Sequence, residues 1–206
     1  MRSAPFVGID VGANRLHVAA LDRRGRVHDA AVFSRAQLPE LAEWLPEAEV
    51  VAIDAPAALS AAPHAGDETL GTKFRRARCA EIALGRNFGY WVPWVTPAGP
   101  PMPGWMETGF AVYEALGRSR RTLLEVYPYA GFRRLANRQL AKKTTVAGLV
   151  QRVELLWAAG VQGEGLQMWS HDSLDALLGA VVAKRYAEGA AVEASCGHDD
   201  SAIWLP

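Results

Sequence analysis

Residues 6–11 of the chain read Phe6-Val7-Gly8-Ile9-Asp10-Val11, an apolar run with one acid close to its end. Such a run is typical of a strand that is buried on both faces of a sheet. The turn at 12–14 leads into a second apolar stretch at 16–21, and a polar connection at 22–25 leads to a third at 27–33. We therefore predict a three-stranded antiparallel meander at the start of the chain.

Beyond this meander, helical and strand patterns alternate. A helix capped by Ser34 is predicted to run to about Leu45, and a fourth strand spans 49–54. The other predicted elements are helices over 72–84, 105–116, 145–159 and 171–187, a proline-rich loop over 88–104, a strand over 122–126 and a small final strand over 201–205. Strands that are reached through a helix lie parallel to the first strand. The pattern thus predicts one α/β domain over 1–206, with a mixed five-stranded sheet and helices on both faces.

Composition bounds the possible functions. Lys+Arg and Asp+Glu both total 22 in the 206 residues, and a net charge of zero does not mark the chain as a nucleic-acid binder. Basic residues do cluster over 73–86 and 118–143. These clusters either bind phosphate groups or form solvent-exposed faces of helices. No stretch is apolar enough to span a membrane, and the N-terminal residues show no leader signal. We expect a cytoplasmic protein without a membrane partner, either a monomer or a homodimer.

The two cysteines, Cys79 and Cys196, lie far apart in sequence and form no Cys-x-x-Cys pair. The nearby His198 is too little to make a zinc site. We therefore expect both cysteines to be reduced cytosolic thiols.

Four aspartates stand out by position. Asp10 and Asp54 each end an apolar strand, and sites in open α/β sheets form outside the carboxyl ends of strands. Asp172 and Asp175 are three residues apart at the start of a helix and so share one helix face. Each acid taken alone is also explained as a turn residue, a cap or a partner of the helix dipole.

Converging carboxylates repel one another unless a positive charge lies between them. Oxygen ligands of this kind select Mg²⁺ or Mn²⁺, and two such ions can activate a water and stabilise the leaving oxygen of a phosphodiester. The four aspartates together are therefore candidate catalytic and metal-ligating residues.

A series of short motifs makes the chain recognisable. They are Phe6-Val7-Gly8-Ile9-Asp10, Val51-Ala52-Ile53-Asp54-Ala55-Pro56, Glu125-Val126-Tyr127-Pro128, His171-Asp172-Ser173-Leu174-Asp175-Ala176 and Ile203-Trp204-Leu205-Pro206. This series resembles the family known as domain of unknown function 429, a family of predicted nucleases, over nearly the whole chain. The resemblance implies a ribonuclease-H-like fold, distantly similar to Holliday-junction resolvases of the RuvC type. Those enzymes carry acids on the first strand, after the fourth strand and on a late helix, where this chain has Asp10, Asp54, Asp172 and Asp175.

Other residues are candidates for lesser roles. Glu125 lies in the Glu-x-Tyr-Pro motif of the family, and the resemblance leaves it as a further metal ligand or as the partner of a basic residue. Arg76, Arg78 and Lys143 can hold a substrate phosphate or can simply be solvated. His64 and His171 are candidate general bases by residue type, and His171, beside Asp172, is the better candidate. Three tryptophans either stack bases or pack the proline-rich loop: Trp91, Trp94 and Trp105.

Three functions remain open from the sequence. The first is a Mg²⁺- or Mn²⁺-dependent nuclease or phosphodiesterase acting on nucleic acid or a nucleotide-like phosphodiester. The second is a nucleotide-binding phosphotransferase of the actin and sugar-kinase type. Asp10-Val11-Gly12 is similar to the first phosphate-binding motif of those proteins, but no second glycine-rich phosphate loop follows Asp54. The third is a non-catalytic binding module that keeps the fold.

Overall fold

The computed structural model describes residues 4–45, 47–117 and 120–206. Residues 1–3, which belong to the N-terminal segment considered above, and Arg118, the first basic residue of the stretch 118–143, lie outside the described residues. None of the helices within the described ranges is long and apolar enough to cross a membrane.

Strands and helices alternate along most of the chain. The strands are β1 (Phe6–Val11), β2 (Arg15–Leu21), β3 (Val27–Ser34), β4 (Val50–Asp54), β5 (Thr122–Val126), β6 (Val192–Ala194) and β7 (Ile203–Leu205). The helices are α1 (Leu38–Trp44), α2 (Cys79–Phe88), α3 (Gly104–Leu116), α4 (Pro128–Ala136), α5 (Val146–Ala158) and α6 (His171–Ala187).

One mixed sheet organises the molecule. Its described strands lie in the order β3-β2-β1-β4-β5-β7-β6. The first three strands are antiparallel neighbours, and β4 and β5 run parallel to β1, as predicted. The prediction of five strands is wrong, because β7 pairs in parallel with β5 and β6 pairs antiparallel with β7. Strand β7 lies within the small final strand predicted over 201–205, which was not expected to join the sheet. Strand β6 has only three residues, too few for a period-two pattern to be read.

The central strands are buried on both faces, and alternate residues enter different cores. In β1, Phe6 belongs to the core beneath α5 and α6, whereas Val7 and Ile9 belong to the core beneath α1 and α3. Side chains alternate between the faces of a strand. Asp10 therefore projects on the same side as Phe6, toward α6.

Two helices differ from their prediction. The helix predicted over 72–84 begins only at Cys79, because Phe74–Arg76 forms a separate 3-10 turn and Arg78 has extended backbone. Helix α4 was not predicted, since Pro128 was interpreted only as the end of a strand. Proline is also favoured in the first turn of a helix, and Pro128 occupies that position here.

The expectation of two separate reduced thiols is wrong. Cys79 and Cys196 form a disulfide, with their Cα atoms 5.1 Å apart, although 117 residues separate them in sequence. The pairing depends on β6, which the sequence did not reveal: it directs the chain back over the start of α2. Spacing along the sequence carries no information about such a contact.

Candidate functional site

Two aspartates meet at the carboxyl ends of the central parallel strands. Asp10 of β1 stands in register with Asp54 of β4. The two carboxyl groups act on each other electrostatically. Burial, followed by the charges of Asp175 and Asp172, raises the pKa of Asp10 to about 8. Burial also raises the pKa of Asp54. The pair therefore holds its negative charge at a high energetic cost.

Helix α6 brings the other two aspartates to this pair. Its backbone lies directly on β1: a Cβ on Gly8 would come within 1.9 Å of the carbonyl oxygen of Ala176. The helix starts at a Ser170 cap, whose hydroxyl accepts a backbone N–H of the first turn at 3.1 Å. Asp172 and Asp175 in the first two turns thus come near the ends of β1 and β4.

A single lysine faces these carboxylates. Lys143 Nζ donates to Asp175 Oδ2 at 2.7 Å and lies 3.7 Å from Asp172 Oδ1. Burial, Asp175 and Asp172 raise the pKa of Asp10, whereas the charge of Lys143 lowers it. Burial raises the pKa of Asp175, which Lys143 and Arg152 lower, and the four carboxyl groups still outnumber these two cations.

Two histidines border the acids. His17 of β2 stands in register with Asp10, and its Nε2 lies 3.9 Å from Asp172 Oδ2. Burial lowers the pKa of His17, so its ring is neutral near pH 7. His171 Nδ1 lies 2.6 Å from Asp172 Oδ1, and one ligand atom each from His171, Asp172 and Asp175 lie within 4.8 Å of one another. Nitrogen and oxygen donors are therefore grouped at the start of α6.

These groups surround an open pocket of about 330 Å³. One wall is aromatic: Trp94 packs edge-on against Trp105 with ring centroids 5.0 Å apart and against Tyr127 at 5.9 Å. The remaining lining residues are Asp10, Val11, Gly12, Arg15, His17, Asp54, Lys143 and Asp172. The pocket therefore combines acids, two basic side chains and flat apolar rings.

Glu125 and Arg78 lie elsewhere. Glu125 is in register with Ile53, one residue before Asp54, so it projects on the opposite face of the sheet from the acidic pocket. There both of its carboxylate oxygens accept hydrogen bonds from the buried Arg78, which also pairs with Glu81. Of the two roles implied for Glu125, the structure shows the partner of a basic residue. Arg78 is sequestered from solvent, so its interpretation as a phosphate-binding residue does not fit its position.

Two further candidates are not brought to the acidic pocket. Arg76 is exposed and lines a separate cavity with Ala62 and Val95. Trp91 packs against Phe74 with ring centroids 4.7 Å apart and does not line the pocket. Of the three basic side chains proposed for substrate binding, only Lys143 faces the aspartates.

Sequence reasoning did not select every residue of the pocket. His17 lies in the middle of a strand, and no motif marks it; its position follows only from the register between β1 and β2. Tyr127, in contrast, carried a signal, because it directly follows β5 at the same sheet edge as Asp54.

Comparison with family models gives a match over residues 106–200 to a family described as "Protein of unknown function (DUF429)". The matched stretch contains the Glu-x-Tyr-Pro motif and the two aspartates of α6. This match, over residues 106–200, supports the resemblance inferred from the motifs for that part of the chain. The curated proteins and the solved structures give no match.

Proposed function

We propose that the protein is a metal-dependent phosphodiester hydrolase, a nuclease acting on nucleic acid or on a nucleotide-like phosphodiester. One observation carries the proposal: Asp10, Asp54, Asp172 and Asp175 converge around a pocket with a single lysine. A buried acidic cluster of this kind destabilises a folded chain, and such clusters are characteristic of functional sites.

The donor set fits a hard divalent cation. All four aspartates offer carboxylate oxygens, which suit Mg²⁺ and Mn²⁺. Burial, followed by the negative charges of Asp175 and Asp172, raises the pKa of Asp10, and a bound cation would offset both effects. Asp10, Asp54 and Asp172 would hold the ion, together with Asp175 once Lys143 moves aside. When bound, such an ion supplies charge stabilisation and an activated water for phosphodiester cleavage.

The chain itself supplies the rest of the chemistry. Lys143 and Arg15 place positive charge beside the pocket, where a phosphate oxygen can accept their hydrogen bonds. His17, with a neutral ring close to Asp172, can accept a proton at the mouth of the pocket. Trp94 and Trp105 offer rings on which a base can stack.

The finer fold class forms part of the same proposal. A meander of three antiparallel strands, followed by two strands parallel to the first, supports a ribonuclease-H-like arrangement. In that arrangement the first strand, the fourth strand and the last long helix carry the acids, which is where Asp10, Asp54, Asp172 and Asp175 lie.

The test is a cleavage assay with purified full chain, Mg²⁺ or Mn²⁺, and a panel of single- and double-stranded DNA, RNA, branched DNA and nucleotide phosphodiesters. We expect metal-dependent cleavage of at least one substrate and its loss in Asp10→Asn and Asp172→Asn. The matched control is Asp29→Asn, an exposed aspartate on β3 away from the pocket, which should cleave like the unmodified chain.

Absence of cleavage across the whole panel, with metal bound, would count against the hydrolase. Thermal stabilisation by ATP but not by metal alone would instead favour the phosphotransferase. Neither cleavage nor binding of metal at millimolar concentration would favour the non-catalytic module.

A further inference from the structure

A second cluster of metal-ligating side chains lies where α2 meets the C-terminal segment. Cys79 is the first residue of α2, whereas Cys196 and His198 lie between β6 and β7. His64 comes from the long loop after β4 and is buried. Three distant parts of the chain therefore contribute two cysteines and two histidines to one place, which shares no lining residue with the acidic pocket.

The ligand atoms are close enough to share one ion. His64 Nε2 lies 3.6 Å from Cys196 Sγ, and the ligand atoms of His64, Cys79 and Cys196 lie within 4.8 Å of one another. The ring of His198 lies beside that of His64, with centroids 5.6 Å apart. The exposed His198 ring is therefore the candidate for a fourth donor.

The surroundings favour a thiolate at Cys79. The backbone N–H of His198 donates to Cys79 Sγ at 3.2 Å. Cys79 also lies at the N-terminal end of the ten-residue helix α2, where the helix dipole stabilises negative charge. N–H donors to the sulfur atoms are the kind of supporting contact that metal-bound cysteines receive.

We infer that, once the Cys79–Cys196 disulfide is reduced, Cys79, Cys196, His64 and His198 bind one zinc ion. Two cysteines and two histidines are a donor set of structural zinc sites, with tetrahedral geometry. The bound form links the loop that holds His64 to α2 and to the C-terminal segment. The disulfide links only the last two. The site is thus a zinc centre in the reduced protein and a cross-link in the oxidised protein.

A small-molecule thiol can convert the disulfide form into the form that binds zinc. Two thiol molecules give two electrons and two protons to the Cys79–Cys196 bond, which yields two cysteine thiols and the disulfide of the reductant. Zn²⁺ then displaces the two thiol protons as it binds the sulfur atoms. The two forms exclude each other, because a sulfur within the disulfide is not a thiolate.

The experiment uses the full chain and Co²⁺ as a coloured substitute for Zn²⁺. One sample is reduced with excess dithiothreitol under nitrogen and freed of reductant, and a second sample is left oxidised. We expect one equivalent of Co²⁺ to give thiolate-to-cobalt charge-transfer absorption and tetrahedral d–d bands in the reduced sample alone. Zn²⁺ should displace the cobalt and remove the absorption. Oxygen ligands in the acidic pocket give no thiolate absorption, so the proposed function does not affect this result.

Variants assign the ligands. Cys196→Ser and His64→Gln should lose the charge-transfer absorption or sharply reduce its intensity, and His198→Gln should weaken cobalt binding. The matched control is His28→Gln, an exposed histidine on β3 at the opposite edge of the sheet, which should bind cobalt like the unmodified chain. A reduced, folded wild-type chain without thiolate-to-cobalt absorption would overturn the inference, and so would absorption that survives in both His64→Gln and His198→Gln.

Discussion

Asp10 and Asp54 stand in register at the carboxyl ends of adjacent parallel strands, where their carboxyl groups act on each other electrostatically. Two buried carboxylates that act on each other cannot both be ionised without a large energetic penalty. The charges of Asp175 and Asp172 increase that penalty. Lys143 opposes this charge at Asp10, and Arg152 also opposes it at Asp175. The acidic cluster therefore lowers the stability of the folded protein, and a bound cation should raise that stability.

The first prediction concerns pH. The pKa of Asp10 is raised from 3.8 to about 8, so the folded state holds the proton more tightly than the unfolded state. The stability that this proton provides is complete below about pH 4 and is lost as the pH rises toward about 8. Asp10→Asn should remove this loss and stabilise the metal-free protein at pH 8 by about 0.5–2 kcal/mol.

Denaturant unfolding in EDTA at a series of pH values between 4 and 8 measures the effect, with Asp29→Asn as the control. If Asp10→Asn is less stable than the unmodified chain at pH 8, Asp10 is not a destabilised acid and the interpretation of the pair fails.

The second prediction concerns the cation of the pocket. Lys143→Met removes the partner of the buried Asp175 carboxylate, so the metal-free protein should lose about 1 kcal/mol, a modest value because Lys143 is half-exposed. Addition of Mn²⁺ should restore most of this loss, since the ion replaces the missing charge. Melting curves with and without Mn²⁺ measure both effects, and Lys142→Met, an exposed neighbour, is the control. Equal stability of the two variants without metal would contradict the role of Lys143.

The third prediction concerns the buried pair on the opposite face of the sheet. Arg78→Met leaves Glu125 and Glu81 without their shared cation and should cost about 3–5 kcal/mol of unfolding free energy. Arg76→Met, on the exposed arginine two residues earlier, should change stability by less than about 0.5 kcal/mol. Denaturant unfolding compares the two. A mild effect of Arg78→Met would show that the arginine is free for another role, such as phosphate binding.

The fourth prediction concerns how α6 carries its aspartates to β1. Gly8→Ala would place a Cβ within 1.9 Å of Ala176 O and 2.4 Å of Ala180 N, and neither backbone atom can move without shifting the helix. We expect a loss on the order of 3 kcal/mol and weaker binding of Mn²⁺, because the helix and both aspartates are displaced. Gly66→Ala, where a Cβ would have no neighbour within 4 Å, is the control. Unchanged binding of Mn²⁺ in Gly8→Ala would show that the packing of α6 on β1 does not position the aspartates of the site.

Much of the central fold was predictable because apolar runs and turn residues mark buried strands directly. The meander, the parallel strands and the placement of Asp10 and Asp54 at strand ends all follow from local pattern. Strand β6 did not, since three residues show no period, and β7 was predicted only as a small final strand outside the five-stranded sheet. Helix α4 was missed because Pro128 is compatible both with the end of a strand and with the first turn of a helix.

The candidate site shows the same division. Strand ends and the three-residue spacing on α6 are enough to bring the four aspartates to one region. The role of Glu125 stayed open in the sequence because the register between β4 and β5 decides whether Glu125 and Asp54 project on the same face of the sheet. The pairing of Cys79 with Cys196, and the approach of His64, depend on contacts across more than a hundred residues.

The most direct test of the acidic site is a crystal structure of the full chain soaked in Mn²⁺, with anomalous diffraction recorded at the manganese absorption edge. The proposed function predicts an anomalous peak between Asp10, Asp54 and Asp172, within coordination distance of their oxygens, and no such peak in Asp10→Asn. Crystals that contain millimolar Mn²⁺ but show the four aspartates without an anomalous peak among them would contradict it.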